Sequence, residues 1–128
     1  MKKLLLFISL VALGAFSACA SVPNTGPGEV TEKYLRALAD KDKATISSLS
    51  CAKWEEDAIL EVDALLSVEA AIDELVCKVV SENGENADVV CEGSLDLTYS
   101  DEVRGIDLSR RTYTLSNTGS QWLVCSYQ

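Results

Sequence analysis

The strongest constraint on the fold is a change in the spacing of apolar residues near position 75. Before it, apolar side chains such as Val30, Tyr34 and Leu38 recur every three or four residues, the spacing of an amphipathic helix. After it, residues of one parity are apolar from Ala87 to Tyr99, the pattern of a half-buried strand. A chain whose helices all precede its strands is expected to form an α+β domain, with the helices covering one face of an antiparallel sheet.

Three helical segments are predicted in the first half of the chain. Pro27 suits a first helical turn, and this helix is expected to end at residues 40–42. Asp42 is the expected N-cap of a short second helix over 43–49, and a third helix begins near Ala52. Residues 67–73 fit either an extension of the third helix or a separate turn before the sheet.

Four strands are predicted in the second half, in a curved antiparallel sheet. The turn residues Asn83 and Gly84 separate the first two strands and indicate a hairpin. A polar loop over 100–105 then leads to a third strand over 106–116, and a turn over 117–120 leads to the last strand, 121–127.

The N-terminus has the composition of a secretory signal. Two lysines precede an apolar run of residues 4–16, which is shorter than the roughly 20 residues that a membrane-spanning helix needs. The tetrapeptide Phe16-Ser17-Ala18-Cys19 resembles the lipobox of bacterial lipoproteins, in which the cysteine becomes lipidated. This resemblance implies a signal peptide over 1–18. Cleavage after Ala20, which yields a freely secreted interaction domain, stays open as an alternative because Ala18 and Ala20 also suit the ordinary signal peptidase.

A tether and a single domain are expected to follow the signal. Residues 19–27 are small, polar or rich in Pro and Gly, which is the composition of a flexible linker. Residues 28–128 then suffice for one domain. We expect the lipid on Cys19, a palmitate-type acyl anchor, to hold this domain in the cell envelope, on the extracytoplasmic side of a bacterial membrane.

Charge and composition exclude several classes of function. The chain has 20 acidic and 11 basic residues and no histidine, for a net charge of −9. Removal of Lys2 and Lys3 with the signal makes the mature charge −11, so nucleic acid is not an expected partner and no polybasic patch attracts lipid headgroups. The absence of imidazole excludes a serine–histidine catalytic triad and a histidine-bearing zinc site.

Four cysteines remain for the exported domain once Cys19 is lipidated or removed. Cys77 and Cys91 are equidistant from Gly84, so a hairpin that turns there places them opposite each other. Their pairing leaves Cys51 to bond Cys125, although the two other connectivities stay open. A four-thiolate zinc site is the rival interpretation, but no two cysteines have close C-x-x-C spacing, and export favours oxidation. We therefore expect disulfides and no metal site.

The order of elements resembles the nuclear transport factor 2-like superfamily, which has a cystatin-like α+β fold. The similarity rests on the leading helix that ends at the acidic turn Asp40-Lys41-Asp42, and on the closing strand Gln121-Trp122-Leu123-Val124-Cys125. It covers the whole mature domain and is strongest to small bacterial lipoproteins of uncharacterised function. The resemblance implies helices packed on a curved sheet; some enzymes of the superfamily combine a tyrosine with a buried aspartate in its cone.

No set of polar residues marks a catalytic site, and no cofactor is expected. Asp96 has the parity opposite to the apolar face of its strand, and Asp107 opens the predicted third strand. Arg110 and Arg111 fall on opposite faces of that strand, where one can hold an anion or both can serve surface roles. Two larger sets are expected to pack or to face solvent, namely the aromatic residues Tyr99, Tyr113, Trp122 and Tyr127, and the acidic run Glu55, Glu56, Asp57, Glu61 and Asp63.

These observations favour a lipid-anchored exported domain that acts by binding or scaffolding rather than by catalysis. The alternative is a small-molecule pocket on the concave sheet face, of the isomerase or dehydratase type. The partner, whether a protein or a small molecule, is not specified by the residues.

Overall fold

The computed structural model describes residues 25–128, so the predicted signal peptide and Cys19 lie outside the described residues. Three helices come first: α1 (Pro27–Ala39), α2 (Lys43–Ser48) and α3 (Glu55–Ala64). Pro27, the last residue of the expected tether, is the first residue of α1, where its missing N–H costs no hydrogen bond. Asp42 caps α2 as predicted, since its carboxylate accepts from the Thr45 N–H at 3.1 Å.

A single antiparallel sheet follows the helices, which confirms the α+β class. Its strands are β1 (Glu69–Glu82), β2 (Asn86–Tyr99), β3 (Glu102–Asp107), β4 (Thr112–Asn117) and β5 (Trp122–Tyr127). The ambiguous segment 67–73 therefore enters the sheet from Glu69 on. The order is β1-β2-β4-β5, and β3 pairs with β2 outside this path. The sheet is open and curved, and its helix-covered face holds the core.

The prediction of four strands was wrong, because the predicted third strand is two strands. A 3-10 turn over Leu108–Arg110 divides it, and the carboxylate of Asp107 caps that turn by accepting from the Ser109 N–H at 3.0 Å. Residues 102–105, expected in a loop, are part of β3 and pair with the second half of β2. Asp107 thus ends a strand instead of opening one.

The long strand β2 has different partners along its length, and it bends where they change. Residues 86–90 pair with β4, and residues 94–99 pair with β3. Between them lies Gly93, which has φ +110° and stands opposite a register shift between Asp73 and Val76 of β1. A Cβ atom at Gly93 would lie 2.5 Å from the Asp73 carbonyl oxygen, so the bend requires glycine there.

The hairpin between β1 and β2 has the register that the cysteine spacing predicts. Cys77 lies opposite Cys91, with their Cα atoms 4.0 Å apart. The structure pairs these two cysteines, and it pairs Cys51 with Cys125 at a Cα separation of 4.9 Å. Cys51 also donates its N–H to the Val124 carbonyl at 2.8 Å. The helical layer is therefore joined to the last strand by both backbone and side chains.

Side chains fill the space between the helices and the sheet. Tyr34 of α1 and Tyr113 of β4 are completely buried, and Trp122 is 4% exposed. Aliphatic residues from all layers pack around them, among them Val30, Leu35, Ile46, Val62, Val89, Leu115 and Val124. Among residues 25–128, none of the helices has the length and apolar composition needed to cross a membrane.

Candidate functional site

A carboxylate from the helical layer meets a tyrosine of the last strand at one end of the core. Glu61 lies on α3, and its Oε1 accepts a short hydrogen bond from the hydroxyl of Tyr127 on β5. The Glu61 side chain faces inward because residue 61 follows buried Ala58 by three positions and precedes buried Leu65 by four. This bond joins elements that are 66 residues apart in the sequence.

Aromatic rings surround this carboxylate–tyrosine pair. The Trp54 ring meets the Tyr127 ring edge to face with centroids 5.6 Å apart, and the Trp54 indole N–H donates to the Tyr34 hydroxyl at 3.1 Å. Tyr113 lies between Tyr34 and Tyr127, with ring centroids at 6.4 and 5.5 Å. Three tyrosines and one tryptophan thus form a continuous aromatic wall beside Glu61.

The two adjacent arginines have separate roles. The guanidinium of Arg111 lies 4.4 Å from the ring centroid of Tyr127, in cation–π geometry. The Arg110 side chain is exposed, and its Nε lies 3.7 Å from the carboxylate of Asp107. Of the pair, only Arg111 joins the site. The prediction that both arginines lie in a strand, one on each sheet face, was wrong, because Arg110 ends the 3-10 turn and Arg111 is the residue between that turn and β4.

Two buried polar atoms of the site have no hydrogen-bond partner among the described residues. They are Oε2 of Glu61 and the hydroxyl oxygen of Tyr113. Buried polar atoms in folded proteins are nearly always paired with protein or with ordered water. A water molecule or a small polar ligand group is therefore expected at Glu61 Oε2, whereas the Tyr113 hydroxyl also has the Arg111 guanidinium close enough to affect its pKa.

Burial raises the pKa of the carboxyl group and of the tyrosine hydroxyls in the site. It raises the pKa of the Glu61 carboxyl above its usual value, against the opposing effects of the Tyr127 hydrogen bond and the Arg111 charge. Burial, reinforced by the Glu61 carboxylate, raises the pKa of Tyr127 to about 12. Burial also raises the pKa values of Tyr34 and Tyr113. At neutral pH the tyrosines are therefore neutral hydrogen-bonding groups.

The other residues singled out in the sequence lie elsewhere. Asp96 accepts from the Ser94 hydroxyl at 2.9 Å, and Tyr99 is 45% exposed, with the Arg104 guanidinium 5.9 Å from its ring centroid. Trp122 packs in the core, as expected of an aromatic residue under the helices. No cluster of three metal-ligating side chains occurs within residues 25–128.

Glu61 was expected on a solvated helix face with the rest of the acidic run, and that expectation was wrong. Glu55, Glu56, Asp57 and Asp63 are exposed, but Glu61 is not. Its spacing from Ala58 and Leu65 was the available signal, since both lie on the buried stripe of α3. Glu61 was grouped with the solvent-facing residues because its neighbours in the acidic run are also charged.

Comparison with known proteins supports the fold and nothing finer. Neither a protein-family profile nor a curated protein matches the sequence. Among solved structures, a SEC-C motif containing protein from Rhodopseudomonas palustris matches with a TM-score of 0.56 at 13% identity, over 81% of this chain and 78% of that one. A proposed dehydratase of the nuclear transport factor 2-like family from Streptomyces avermitilis matches with a TM-score of 0.53 at 15% identity, over 77% of this chain and 87% of that one.

A third match comes from a larger protein. The helical cell shape determining protein Pgp2 of Campylobacter jejuni matches with a TM-score of 0.51 at 6% identity, over 78% of this chain. The matched region is 38% of the Pgp2 chain. At these identities the similarity concerns the backbone alone, and it establishes a nuclear transport factor 2-like α+β fold.

Proposed function

We propose that this protein is an exported bacterial domain, anchored by lipid at Cys19, that acts by binding or scaffolding and not by catalysis. The main support for a non-catalytic role is that side chains fill the helix-covered face of the sheet. Tyr34 and Tyr113 are completely buried there, and Glu61 and Tyr127 are half-buried, so side chains of the protein fill most of this face. An enzyme of this fold needs its acid and base to contact a substrate in that space.

Export and anchoring are supported by the sequence and by the placement of the cysteines. The described residues contain two cysteine pairs at disulfide distance, and such bonds persist in oxidising compartments. The lipobox-like residues 16–19 and the linker composition of the following segment support attachment through one modified cysteine.

Metabolic labelling with a palmitate analogue tests the anchor. The wild type should be labelled and should partition into detergent, whereas Cys19→Ala should be unlabelled and aqueous. Cys51→Ala is the matched control, because it removes a cysteine without touching the signal, and its labelling should persist. Equal labelling of wild type and Cys19→Ala would refute the anchor and favour the freely secreted alternative.

A small-molecule site is the second candidate function, favoured by the unpartnered atoms of Glu61 and Tyr113. A crystal structure of the mature protein distinguishes it from the first. A single water between Glu61 Oε2 and the Tyr113 hydroxyl supports the non-catalytic role. Electron density for a larger molecule in contact with both atoms supports a ligand site.

A further inference from the structure

We propose that the outer edge of β1, over residues 69–72, binds an extended segment of a partner protein that carries basic side chains. The proposal rests on the binding role proposed above and specifies the class of partner. In this arrangement the partner segment adds one strand to the sheet, so that main-chain hydrogen bonds supply the affinity and side chains supply the selectivity.

The observation behind the proposal is that this part of the strand edge is open, whereas the edge at Cys77 is covered by α1. β1 ends the sheet and pairs only with β2. In an antiparallel pair, alternate residues direct their N–H and C=O groups away from the partner strand. At Cys77 these outward groups are engaged, since its N–H donates to Glu32 of α1 at 3.0 Å and Gly28 packs against its carbonyl. Among the described residues, no hydrogen bond from outside the hairpin reaches residues 69–72.

A groove follows the open part of the edge. It has a volume of about 480 Å³ and continues into a second depression of about 320 Å³ beside Ile72 and Arg36. The groove is lined by Ala39, Asp40, Lys41, Glu69, Ala70, Ala71, Asp96 and Thr98. Three of these residues are alanines, so part of the lining is formed by small side chains.

The charge of the groove selects the occupant. Asp40 and Glu69 are exposed carboxylates at its wall, and Asp96 adds a third. Lys41 donates to the Val68 carbonyl at 2.5 Å and keeps its positive charge, and Arg36 adds a second cation in the adjoining depression, so the two cations offset the three carboxylates only in part. The whole chain carries a charge of −9. A strand with lysine or arginine side chains therefore complements this edge, and an acidic strand is repelled.

A second copy of this chain is a poor occupant of the same edge. Pairing two β1 edges over residues 69–72 would bring Glu69 of one copy near Asp73 and Glu74 of the other. Like charges across a strand pair are destabilising, so the acidic edge opposes self-pairing. The left-handed backbone of Glu74, at φ +48°, also ends the regular edge after Asp73. The open stretch is thus short and suited to a foreign segment.

Fluorescence anisotropy with labelled synthetic peptides tests the proposal on the full mature chain in mild detergent. A ten-residue peptide of alternating Lys and Val should bind saturably, and the matching Glu and Val peptide should not. The double variant Asp40→Asn/Glu69→Gln should weaken binding by roughly three- to ten-fold, the range expected for two exposed ion pairs. Glu82→Gln, at the far end of the same strand and away from the groove, is the control and should change affinity by less than about two-fold.

Main-chain pairing is tested separately from charge. The Lys and Val peptide with alternate N-methyl amides should lose binding, and the unmodified peptide should slow hydrogen exchange of the outward amides within residues 69–72. Absence of binding, equal binding of the acidic or the N-methylated peptide, or equal weakening by Glu82→Gln would overturn the proposal. None of these outcomes alters labelling at Cys19, so the edge site and the anchor succeed or fail independently.

Discussion

The hydroxyl of Tyr127 on the last strand donates its hydrogen bond to the carboxylate of Glu61 on α3, and the other oxygen of that carboxylate is buried without a partner among the described residues. The pair links the helical layer to the strand that closes the domain. Because burial opposes ionisation of Glu61, the stability of this link should depend on pH.

We expect Glu61→Gln to flatten the dependence of the unfolding free energy on pH. The folded-state pKa of Glu61 is raised above the ordinary 4.5, so between those two values the folded chain binds more protons than the unfolded chain. The contribution of Glu61 is therefore fully present below about pH 4.5 and falls as pH rises through the folded pKa. Urea unfolding at a series of pH values measures this slope.

Glu56→Gln provides the control for that measurement, since Glu56 is an exposed carboxylate on the same helix. It should leave the slope of the wild type intact. An unchanged slope in Glu61→Gln, or a slope of opposite sign in the wild type, would contradict a buried, destabilised Glu61 carboxylate.

Tyr127→Phe should lower the unfolding free energy by about 1–3 kcal/mol, because it leaves a buried carboxylate oxygen without its donor. Tyr99→Phe is the matched control, since the Tyr99 side chain is 45% exposed and lies away from the site. Denaturant unfolding at pH 7 compares the two variants. If both variants lose the same small amount of unfolding free energy, the Tyr127 hydroxyl is hydrogen-bonded to solvent and not to Glu61.

Gly93→Ala should destabilise the protein by several times the loss caused by Gly119→Ala. Both glycines have positive φ, at +110° and +92°, so both substitutions strain the backbone by about 1–2 kcal/mol. Only at Gly93 would the new methyl group also meet a backbone carbonyl oxygen, whereas nothing lies within 4 Å of a Cβ atom at Gly119. Thermal unfolding of the two variants separates the contact from the strain, and equal losses would argue against a crowded bend.

Removal of each cysteine pair should have a different cost. Cys77 and Cys91 are 14 positions apart, and Cys51 and Cys125 are 74 apart. On the loop-entropy model the shorter crosslink stabilises by about 3 kcal/mol and the longer by about 4.5 kcal/mol. Double alanine variants of each pair, unfolded without reductant, test this order.

Peptide mapping of the unreduced protein checks the connectivity directly. It should yield one crosslinked peptide with Cys77 and Cys91 and another with Cys51 and Cys125. Two or more reactive thiols after denaturation, or a crosslink between Cys51 and Cys77, would contradict the pairing.

Features set by local spacing could be predicted from the sequence. The turn at Asn83-Gly84 fixed the hairpin, and with it the register that places Cys77 opposite Cys91. The cap of α2 at Asp42 was also predictable, because a short carboxylate three residues before Thr45 satisfies a free N–H at the helix start.

Features that depend on contacts between residues far apart in the chain could not be predicted from the sequence. Residues 102–105 look like a loop because most of them are polar or glycine, and they become a strand only because the second half of β2 offers an unpaired edge. The ring of aromatic groups around Glu61 depends on α3 crossing the ends of β4 and β5. No local pattern encodes that crossing, although the spacing from Ala58 did indicate that Glu61 faces inward.

The bond between Cys51 and Cys125 has a mechanical and a proteolytic consequence for the domain. It closes α3 and the sheet as far as Cys125 in β5 into one covalent ring, with α1 and α2 outside it on the N-terminal side. A single protease cut anywhere within the ring leaves both fragments attached. A pulling force applied between the N-terminal side of α1 and the last residues of the chain can extend the first two helices, but it cannot unravel the strands inside the ring.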